Sequence, residues 1–331
     1  MAEYQNVCVF CEIKDGELTR VSTEGLGAGR KLADDLGQSL IALVVGSQVA
    51  DAAKSAIHYG ADKAYVVDDV LFSDYQADAY VAVMEKLMAQ AAGQVLIMGQ
   101  TDVGRDLAPR VAFRLGTVAT MDCLDLAIDG NSKRLLQTKQ VFGGNATEVV
   151  STASNPQIVT IRSKAMEALA PDQSRQGEVV AVDAGIDASV MRTKLVERVV
   201  EEVAGIKLED AGIVVAGGRG IGGPEGFVQL EALAKVLKGA VGASRPAADL
   251  EWVPNSMLVG ITGKIIAPDV YIAVAISGSC QHMTGCSGSK AIIAVNMDPE
   301  ANIFKFAQYG VVGDWKTFVP AFTEKVKAMI S

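Results

Sequence analysis

The sequence has few of the residues on which many active sites depend, and it lacks the long apolar runs of helical membrane spans. It contains two histidines and two tryptophans among 331 residues, and aromatic residues make up 5%. No apolar run approaches the roughly 18 residues of a membrane span, and no basic region precedes the first apolar run. We therefore expect a soluble, cytoplasmic protein without membrane insertion.

Concentrated positive charge is also missing. Thirty basic residues stand against 39 acidic ones, which gives a net charge of -9. A groove for a phosphate backbone needs lysine and arginine clustered on one face, and no segment of the chain supplies that. Nucleic acid is excluded as an expected partner.

The chain also lacks the common catalytic and metal-binding motifs. His58 and His282 are the only histidines, and there is no G-x-S-x-G, H-E-x-x-H or metal-spaced Cys/His set. Five cysteines are an odd number, which argues against a disulfide framework. Cys8 and Cys11 form a C-x-x-C inside an apolar strand, where residues three apart face opposite sides, so core packing is predicted for both.

What the chain does contain predicts two α/β domains. Half of the residues are apolar and 33 are glycine, and short apolar runs alternate with helix-length stretches. The first domain is predicted to be a doubly wound parallel sheet, with strands at 6–12, 39–45, 63–67 and 94–98. Three further strands, at 135–141, 147–150 and 157–161, are expected to extend this sheet or to add an antiparallel layer.

A charged segment from Thr193 to Asp210 predicts the domain boundary, giving an N-terminal domain at 1–205 and a C-terminal domain at 206–331. The C-terminal domain has predicted strands at 213–216, 271–276 and 291–295. Asp314 is the predicted N-cap of a closing helix. The apolar face of that helix is predicted to carry Trp315, Phe318, Val319, Phe322, Val326 and Met329.

Polar residues cluster at predicted strand ends between Val241 and Asp314. These clusters are Gly242-Ala243-Ser244-Arg245-Pro246, Gly260-Ile261-Thr262-Gly263-Lys264, Ser277-Gly278-Ser279-Cys280-Gln281-His282 and Asn296. Hydroxyl groups, glycines and single Arg, Gln, His and Asn side chains at such ends predict a binding surface for a phosphate-bearing ring cofactor. Gly217–Gly223 is either a further backbone contact for that cofactor or a plain tight turn, because it misses the G-x-G-x-x-G register.

Two motifs in this region are rejected as catalytic. Leu258 and Ile265 stand where a P-loop would need its first glycine and its hydroxyl residue, so a nucleoside triphosphate site is excluded. Ser287-Gly288-Ser289-Lys290 matches S-x-x-K without its companion motifs and is interpreted as ordinary loop chemistry. His58 is predicted to close a helix. Arg245, Thr262 and His282 are instead expected to converge on one polar ring.

The chain resembles the alpha subunit of electron-transfer flavoprotein along nearly its whole length. The segment 99–110, Gly-Gln-Thr-Asp-Val-Gly-Arg-Asp-Leu-Ala-Pro-Arg, resembles the first-domain signature of that family. Further similar segments are Gly217–Gly220, Val241–Pro246, Val253–Asn255, Thr262–Lys264, Ile276–His282, Asn296–Pro299 and Tyr309–Asp314. The resemblance implies a nucleotide-hydrolase-like N-terminal domain that contacts a beta subunit, and a C-terminal domain that binds FAD.

The resemblance also implies roles for individual residues. Arg219, Ser244 and the loop Ser277, Gly278, Ser279, Cys280, Gln281 and His282 would bind the pyrophosphate and isoalloxazine regions. Val259, Gly260, Ile261 and Thr262 would line the flavin ring, Asn296 would contact the ribityl or adenosine part, and Asp314 and Trp315 the adenosine end. The family usually has Gln at the positions of Leu258 and Ile261, so this chain departs from the pattern near the ring.

The expected function is an electron carrier without catalytic residues of its own. Arg245 and His282 would stabilise the negative charge of a reduced flavin and Thr262 would hydrogen-bond N5, so these three would tune its potential. The implied partners are the beta subunit, an acyl-CoA dehydrogenase-type flavoenzyme, and a quinone or ferredoxin-linked acceptor. The sequence leaves flavin-based bifurcation with NADH open. An NAD-dependent oxidoreductase and a nucleotide-binding structural subunit are the alternatives, although Lys238 and Gly239 stand where the former would need an acidic residue.

Overall fold

The computed structural model describes residues 4–144, 146–186, 188–193, 195–197 and 206–330. These residues form two compact units. The N-terminal unit holds the residues up to Val141 and those from Thr147 to 197, and the C-terminal unit holds 206–330 together with those of the short segment 142–146. Lys194 and 198–205, which belong to the predicted boundary segment, lie outside the described residues. No helix in the described part of the chain is long and apolar enough to cross a membrane.

The N-terminal unit is built on one nine-stranded sheet. Its strands are β1 (Asn6–Cys11), β2 (Ile13–Lys14), β3 (Glu17–Leu18), β4 (Leu40–Gly46), β5 (Lys63–Asp68), β6 (Gly93–Gly99), β7 (Ala119–Ile128), β8 (Leu135–Val141), β9 (Ala146–Val150), β10 (Gln157–Ile161) and β11 (Glu178–Ala181), of which β2 and β3 form a separate small hairpin. Its helices are α1 (Arg20–Leu36), α2 (Ala50–His58), α3 (Ala77–Ala91) and α4 (Asp102–Arg114).

The strand order confirms a doubly wound parallel sheet with added strands. It is β11-β5-β4-β1-β6-β10-β7-β8-β9, and β8 runs antiparallel to β7. The three later strands extend the first sheet, and they do so in an unexpected order. β10 inserts in parallel between β6 and β7, so chain neighbours β7 and β8 lie towards the outer edge.

Side-chain alternation along β1 explains the two-sided core of this unit. Val7, Val9 and Cys11 face the layer that contains α1 and α2, whereas Cys8 and Phe10 face the layer of α3 and α4. The two cysteines therefore pack on opposite sides of the sheet, as predicted. Burial raises the pKa of each thiol to about 12, so both stay protonated at neutral pH.

The C-terminal unit has its own five-stranded, all-parallel sheet of order β13-β12-β14-β15-β16. The strands are β12 (Ile213–Gly217), β13 (Ala240–Ala243), β14 (Val270–Val274), β15 (Ala291–Asn296) and β16 (Tyr309–Val312). The helices are α5 (Pro224–Val236), α6 (Arg245–Asp249), α7 (Cys280–Cys286) and α8 (Trp315–Ile330).

The closing helix α8 begins where predicted but buries a narrower face. Asp314 Oδ1 accepts a hydrogen bond from the Lys316 N–H at 3.0 Å, the expected N-cap arrangement. Trp315 and Val319 are buried against the sheet. Met329 is 76% exposed, so the prediction that it lies on the packed face was wrong. The apolar face ends before the last turn because the helix runs past the partners it packs on.

The strand order of the C-terminal sheet creates a crevice at one defined place. The chain goes from β12 through α5 to β13 on one side, and then returns to β14 on the other side of β12. Where a parallel sheet reverses direction in this way, the loops after the neighbouring strands diverge and leave a gap at their carboxyl ends. The loops after β12, β13 and β14 are those in which the polar clusters were found.

Candidate functional site

A cavity of about 800 Å³ lies at the carboxyl ends of β12, β13 and β14. The structure brings most of the predicted site residues to its wall: Arg219, Ser244, Arg245, Val259, Gly260, Ile261, Thr262, Ser277, Ser279, Gln281, His282 and Asn296. They come from five separate segments of the C-terminal unit. Arg245, Thr262 and His282 thus line one cavity, in line with the convergence expected from the sequence.

Two glycines are needed for the shape of this wall. Gly218 follows β12 directly, and a Cβ added there would overlap the carbonyl oxygen of Ala275 beyond β14. Gly260 has φ +146, a conformation that residues with a side chain rarely adopt, and it packs on the backbone of Gln281. Glycine therefore allows the loops after the strands to close around the cavity.

The Gly260–Lys264 segment differs from its prediction, because it does not follow a regular strand. It is a tight turn held by isolated bridges between Ala243 and Leu258 and between Val259 and Lys264. The Ile261 N–H donates to the Gln281 carbonyl at 2.9 Å, which ties the turn to α7. Lys264 pairs with Glu209 at 2.7 Å. The lysine is engaged in a structural ion pair, which agrees with the rejection of a P-loop.

The lysine of the S-x-x-K motif and the neighbouring Ser289 are also structural. Lys290 Nζ lies 2.8 Å from Asp269 Oδ1, and the Ser289 hydroxyl donates to the Cys286 carbonyl at 2.6 Å. Among the described residues, no group of acidic residues, histidines and cysteines could hold a metal ion.

The charged groups of the cavity are two guanidinium groups and three carboxylates. Arg219 and Arg245 supply the positive charge, and Arg245 lies 3.4 Å from Asp249 with 65% of its side chain exposed. Asp298 and Glu300 line the wall after β15. Guanidinium groups suit phosphate oxygens, and carboxylates suit sugar hydroxyls, so the wall can hold both parts of a nucleotide.

Asn296 has a structural role at the end of β15. Its Nδ2 donates to the Ile276 carbonyl at 3.0 Å, and its Oδ1 accepts from the Asp298 N–H at 2.9 Å. The side chain therefore joins the loop after β14 to the loop after β15. One N–H and one lone pair of the amide remain for a ligand.

His282 is the most buried polar side chain of the wall, with 5% of its surface exposed. Nε2 lies 2.8 Å from the hydroxyl oxygen of Tyr271. Burial lowers the pKa of His282 to about 4, and the backbone carbonyl of Val259 opposes this in part. The imidazole is therefore neutral at pH 7. Nδ1 is buried and has no hydrogen-bond partner of normal geometry among the described residues.

Four predicted residues are not part of the wall: Gly278, Cys280, Asp314 and Trp315. Trp315 is buried in the core against α5, and its indole N–H donates to the carbonyl of Gly220, a wall residue, at 3.2 Å. Asp314 is used as the N-cap of α8. Gly278 packs on the backbone of Ile303, and Cys280 is exposed at the start of α7. These residues shape the site from outside it.

No site residue was predicted in the loop after Asn296, although the family resemblance extended to Pro299. Asp298, Glu300, Ala301 and Asn302 all line the cavity, together with Asp249 from α6. The available signal was Asp298-Pro299, a turn-forming pair directly after the strand end at Asn296.

A parallel sheet with an 800 Å³ cavity at its reversal point, lined by guanidinium and hydroxyl groups among apolar side chains, defines an α/β protein that binds a nucleotide-type cofactor. Residues 7–187 match the family model "Electron transfer flavoprotein domain", and residues 207–287 match "Electron transfer flavoprotein FAD-binding domain". The chain therefore belongs to the electron transfer flavoprotein alpha subunit family.

Full-length relatives agree with this assignment. The chain is 43% identical over 330 residues to the electron transfer flavoprotein subunit alpha of Thermoanaerobacterium thermosaccharolyticum, covering 99% of this chain and 100% of the relative. It is 40% identical to the subunit alpha of Bacillus subtilis, covering 98% of each chain. It is also 40% identical to Protein FixB of Clostridium saccharobutylicum, covering 100% of this chain and 99% of the relative.

Family membership makes FAD the cofactor and electron transfer the general role. Alpha subunits of this family are electron carriers that pair with a beta subunit. The residues of the cavity fit FAD, because guanidinium groups, small hydroxyls and a buried nitrogen without a partner line one wall. A cavity of about 800 Å³ is also within the usual range for cofactor sites.

Proposed function

We propose that this chain holds FAD in the cavity after β12, β13 and β14 and, with its beta subunit, carries electrons between an acyl-CoA dehydrogenase-type flavoenzyme and a quinone or ferredoxin-linked acceptor. The proposal rests on one observation. Two guanidinium groups, of Arg219 and Arg245, line the same cavity as His282, whose Nδ1 has no hydrogen-bond partner of normal geometry among the described residues. The working division is a beta-contacting domain at 1–205 and an FAD domain at 206–331.

Arg219, Ser244 and Ser279 form the phosphate-binding side of the proposed site. Arg219 is exposed at the cavity, where it can neutralise the pyrophosphate charge without a large desolvation cost. Ser244 is buried directly after β13, and its backbone N–H is already bonded to the Gly217 carbonyl. Its hydroxyl is thus the group available to a phosphate oxygen.

Arg245, Thr262 and His282 form the ring-binding side. Bound FAD supplies the one- and two-electron chemistry. A positive charge at Arg245 and N–H or O–H donors at His282 and Thr262 bind an electron-rich ring more tightly than an electron-poor one. Preferential binding of about 1.4 kcal/mol raises a one-electron potential by about 59 mV, so these three side chains can set the direction of transfer.

Apolar residues also line part of this side. Val259 and Ile276 are buried, while Ile261 is 52% exposed at the edge of the turn. A dry wall strengthens each hydrogen bond and charge interaction made inside it. Ile261 offers no donor where the family usually has Gln, so its contribution to the potential is expected to be small.

The test is to purify the chain with its beta subunit and record the flavin spectrum, the number of flavins per heterodimer and the reduction potentials. We expect bound FAD that is reduced by an acyl-CoA dehydrogenase carrying its own substrate. A heterodimer that binds no flavin after reconstitution with FAD would overturn the proposal. One that binds FAD but accepts electrons from no such dehydrogenase would overturn the choice of partner.

Bifurcation is decided by the same preparation. One flavin per heterodimer and no NADH oxidation indicate a simple carrier, which we take as the working proposal. Two flavins with NADH oxidation coupled to a low-potential acceptor indicate bifurcation. NADH oxidation by a flavin-free preparation would favour the NAD-dependent oxidoreductase instead. A cytoplasmic location remains a prediction.

A further inference from the structure

A buried polar group behind the cavity wall has no role in the function proposed so far. Tyr271 lies in the centre of β14 and is completely buried. Alternation along the strand directs Tyr271 and Ala273 towards the side covered by α7, whereas Ile272 and Val274 face α5 and α8. A tyrosine hydroxyl in such a core needs a partner, and α7 supplies one.

That partner is His282, in the first turn of α7. The Tyr271 hydroxyl oxygen and His282 Nε2 are 2.8 Å apart, and the ring centroids are 6.0 Å apart. Cys286, one turn further along α7, also lies within reach of the tyrosine hydroxyl. Its thiol donates to the His282 carbonyl at 3.6 Å. The Tyr271 hydroxyl, the His282 imidazole and the Cys286 thiol are therefore close enough to exchange hydrogen bonds with one another.

Counting the protons of these three groups leaves two arrangements. Burial raises the pKa of Tyr271 well above its ordinary value, so the hydroxyl keeps its proton. The neutral imidazole has one N–H. Either Tyr271 donates to Nε2 and the imidazole proton sits on Nδ1, or Nε2–H donates to Tyr271, whose own proton then turns to the Cys286 sulfur. Sulfur is a weak acceptor compared with an imidazole nitrogen, which favours the first arrangement.

The first arrangement has a consequence at the cavity. Nδ1 then carries the proton, and it is the buried ring nitrogen that lacks a hydrogen bond of normal geometry among the described residues, although the Val259 carbonyl lies close enough to raise the pKa of the ring. His282 itself is part of the cavity wall. An N–H held in this way can donate to an acceptor of a bound molecule in place of the Val259 carbonyl, whereas an unprotonated Nδ1 would repel the same acceptor.

We propose that Tyr271 is a positioning residue that donates its hydroxyl proton to Nε2 of His282 and so fixes the imidazole in the Nδ1–H form, presenting a donor to an electron-rich carbonyl of the bound cofactor. The inference rests on the proposed function for the identity of the cofactor, while the proton arrangement belongs to the chain alone. Tyr271 acts through His282 and does not itself line the cavity.

The chain is well suited to a direct test, because His58 and His282 are its only histidines. The full chain is labelled with 15N-histidine, and long-range 1H–15N correlation spectra at pH 7 report which ring nitrogen is protonated. The variant His58→Gln assigns the signals. We expect His282 to be protonated on Nδ1 and not on Nε2. A wild-type spectrum with the proton on Nε2 overturns the proposal without the need for any further variant.

Tyr271→Phe tests the cause. Removal of the hydroxyl leaves the ring volume in place, and we expect the ratio of Nδ1–H to Nε2–H to fall at least tenfold, because the Nε2–H form is intrinsically favoured in free imidazole side chains. Cys286→Ala is the matched control and should leave the wild-type form in place. A folded Tyr271→Phe chain with the wild-type tautomer would contradict the proposal, as would a Cys286→Ala chain with the altered one.

A second readout uses the complex of the full chain with its unlabelled beta subunit and FAD. Tyr271→Phe should lower the first one-electron potential by about 59 mV if the preference of the site for the reduced ring falls tenfold. An unchanged potential together with a changed tautomer would overturn the link to the cofactor. Failure of the wild-type complex to bind FAD would instead defeat the proposed function and leave the proton arrangement standing.

Discussion

Each of the two sheets has a crevice where its strand order reverses. The two crevices differ in whether their polar side chains already have hydrogen-bond partners within the protein. In the N-terminal unit, β1 lies between β4 and β6, and a cavity of about 380 Å³ opens beside their carboxyl ends. In the C-terminal unit, β12 lies between β13 and β14, beside the cavity of about 800 Å³. The architecture is the same in both places.

Three polar side chains of the smaller cavity, Glu12, Tyr75 and Tyr80, are already paired within the protein. The Thr101 hydroxyl donates to Glu12 at 2.7 Å, Tyr75 donates to Asp106 at 2.8 Å, and Tyr80 donates to the Phe72 carbonyl at 3.3 Å. Thr101 also accepts from the Gly104 N–H, which caps α4. A reversal point thus supplies a crevice, and it is the unpaired donors of the second crevice that make it a site.

The largest effect on stability and FAD binding is expected when the second crevice is forced open. Gly218→Ala places a methyl group into the Ala275 carbonyl, so β12 and β14 must separate. Overpacking of this kind costs about 3 kcal/mol or less in most cores, and we expect a loss near that limit together with loss of bound FAD. Denaturant unfolding and the flavin spectrum measure the two effects.

Gly313→Ala is the control for that variant, because an added Cβ meets nothing within 4 Å there. Its stability and flavin content should match the wild type. A Gly218→Ala protein that unfolds at the wild-type denaturant concentration would show that the close approach is dispensable.

The next largest effect concerns the paired carboxyl of the first crevice. Burial raises the pKa of Glu12 from 4.5 to about 7, the Thr101 hydrogen bond lowers it and the charge of Asp102 raises it. Because the folded pKa is above the unfolded one, the folded state holds the extra proton between these values. Stability should therefore fall by up to about 3 kcal/mol as pH rises from about 4.5 through about 7.

Glu12→Gln should remove most of that fall, since the amide keeps an oxygen for Thr101 and carries no charge. Unfolding at pH 5 and pH 8 gives the two values for each protein. Glu17→Gln, at an exposed carboxylate, is the matched control and should retain the wild-type slope. A wild-type protein whose stability does not change over this range would contradict the burial argument.

Arg245→Ala should have a more moderate effect, confined to the second crevice. Loss of the guanidinium removes about 1 kcal/mol of preferential binding of the reduced flavin, so the first one-electron potential should fall by several tens of millivolts. Redox titration of the FAD-loaded heterodimer measures it. Arg110→Ala removes an exposed arginine paired with Asp106 in the other unit and should leave the potential unchanged.

The smallest effect is expected at Ile261. Ile261→Gln restores the amide that the family usually has, on a side chain that is 52% exposed. Stability should change by about 0.5 kcal/mol or less, and the potential should rise by less than Arg245→Ala lowers it. A rise larger than the Arg245 effect would mean that the departure at Ile261 is a main determinant of the potential.

The local pattern of apolar and turn-forming residues was enough to predict most strands and the five segments that carry the predicted wall residues. The strands at 135–141 and 157–161 were placed correctly, because alternation and turn residues are local properties. The insertion of β10 between β6 and β7 was not predictable, since strand order depends on pairing between distant segments. For the same reason, alternation alone assigned Tyr271 to an apolar strand and gave no indication of its bond to His282.

The differences between the predicted site and the cavity wall have physical causes as well. Asp314 and Trp315 follow a strand end as the wall residues do, but β16 is an edge strand and its loop leads into α8. Glu300, Ala301 and Asn302 lie beyond the segment that resembles the family, and the strand order brings them to the cavity. The sequence identifies residues at strand ends as candidates for the site, whereas the strand order of the sheet determines which of them line the cavity.

The accessibility of the cysteines offers a practical opportunity. Four of the five, Cys8, Cys11, Cys123 and Cys286, are buried, and Cys280 alone is exposed, two residues before His282 on α7. A thiol-reactive fluorophore would therefore attach to the native chain at one place, at the margin of the cavity, without any engineered cysteine. Because flavins quench nearby dyes, arrival of the cofactor and docking of an electron donor would become visible as changes in emission in real time.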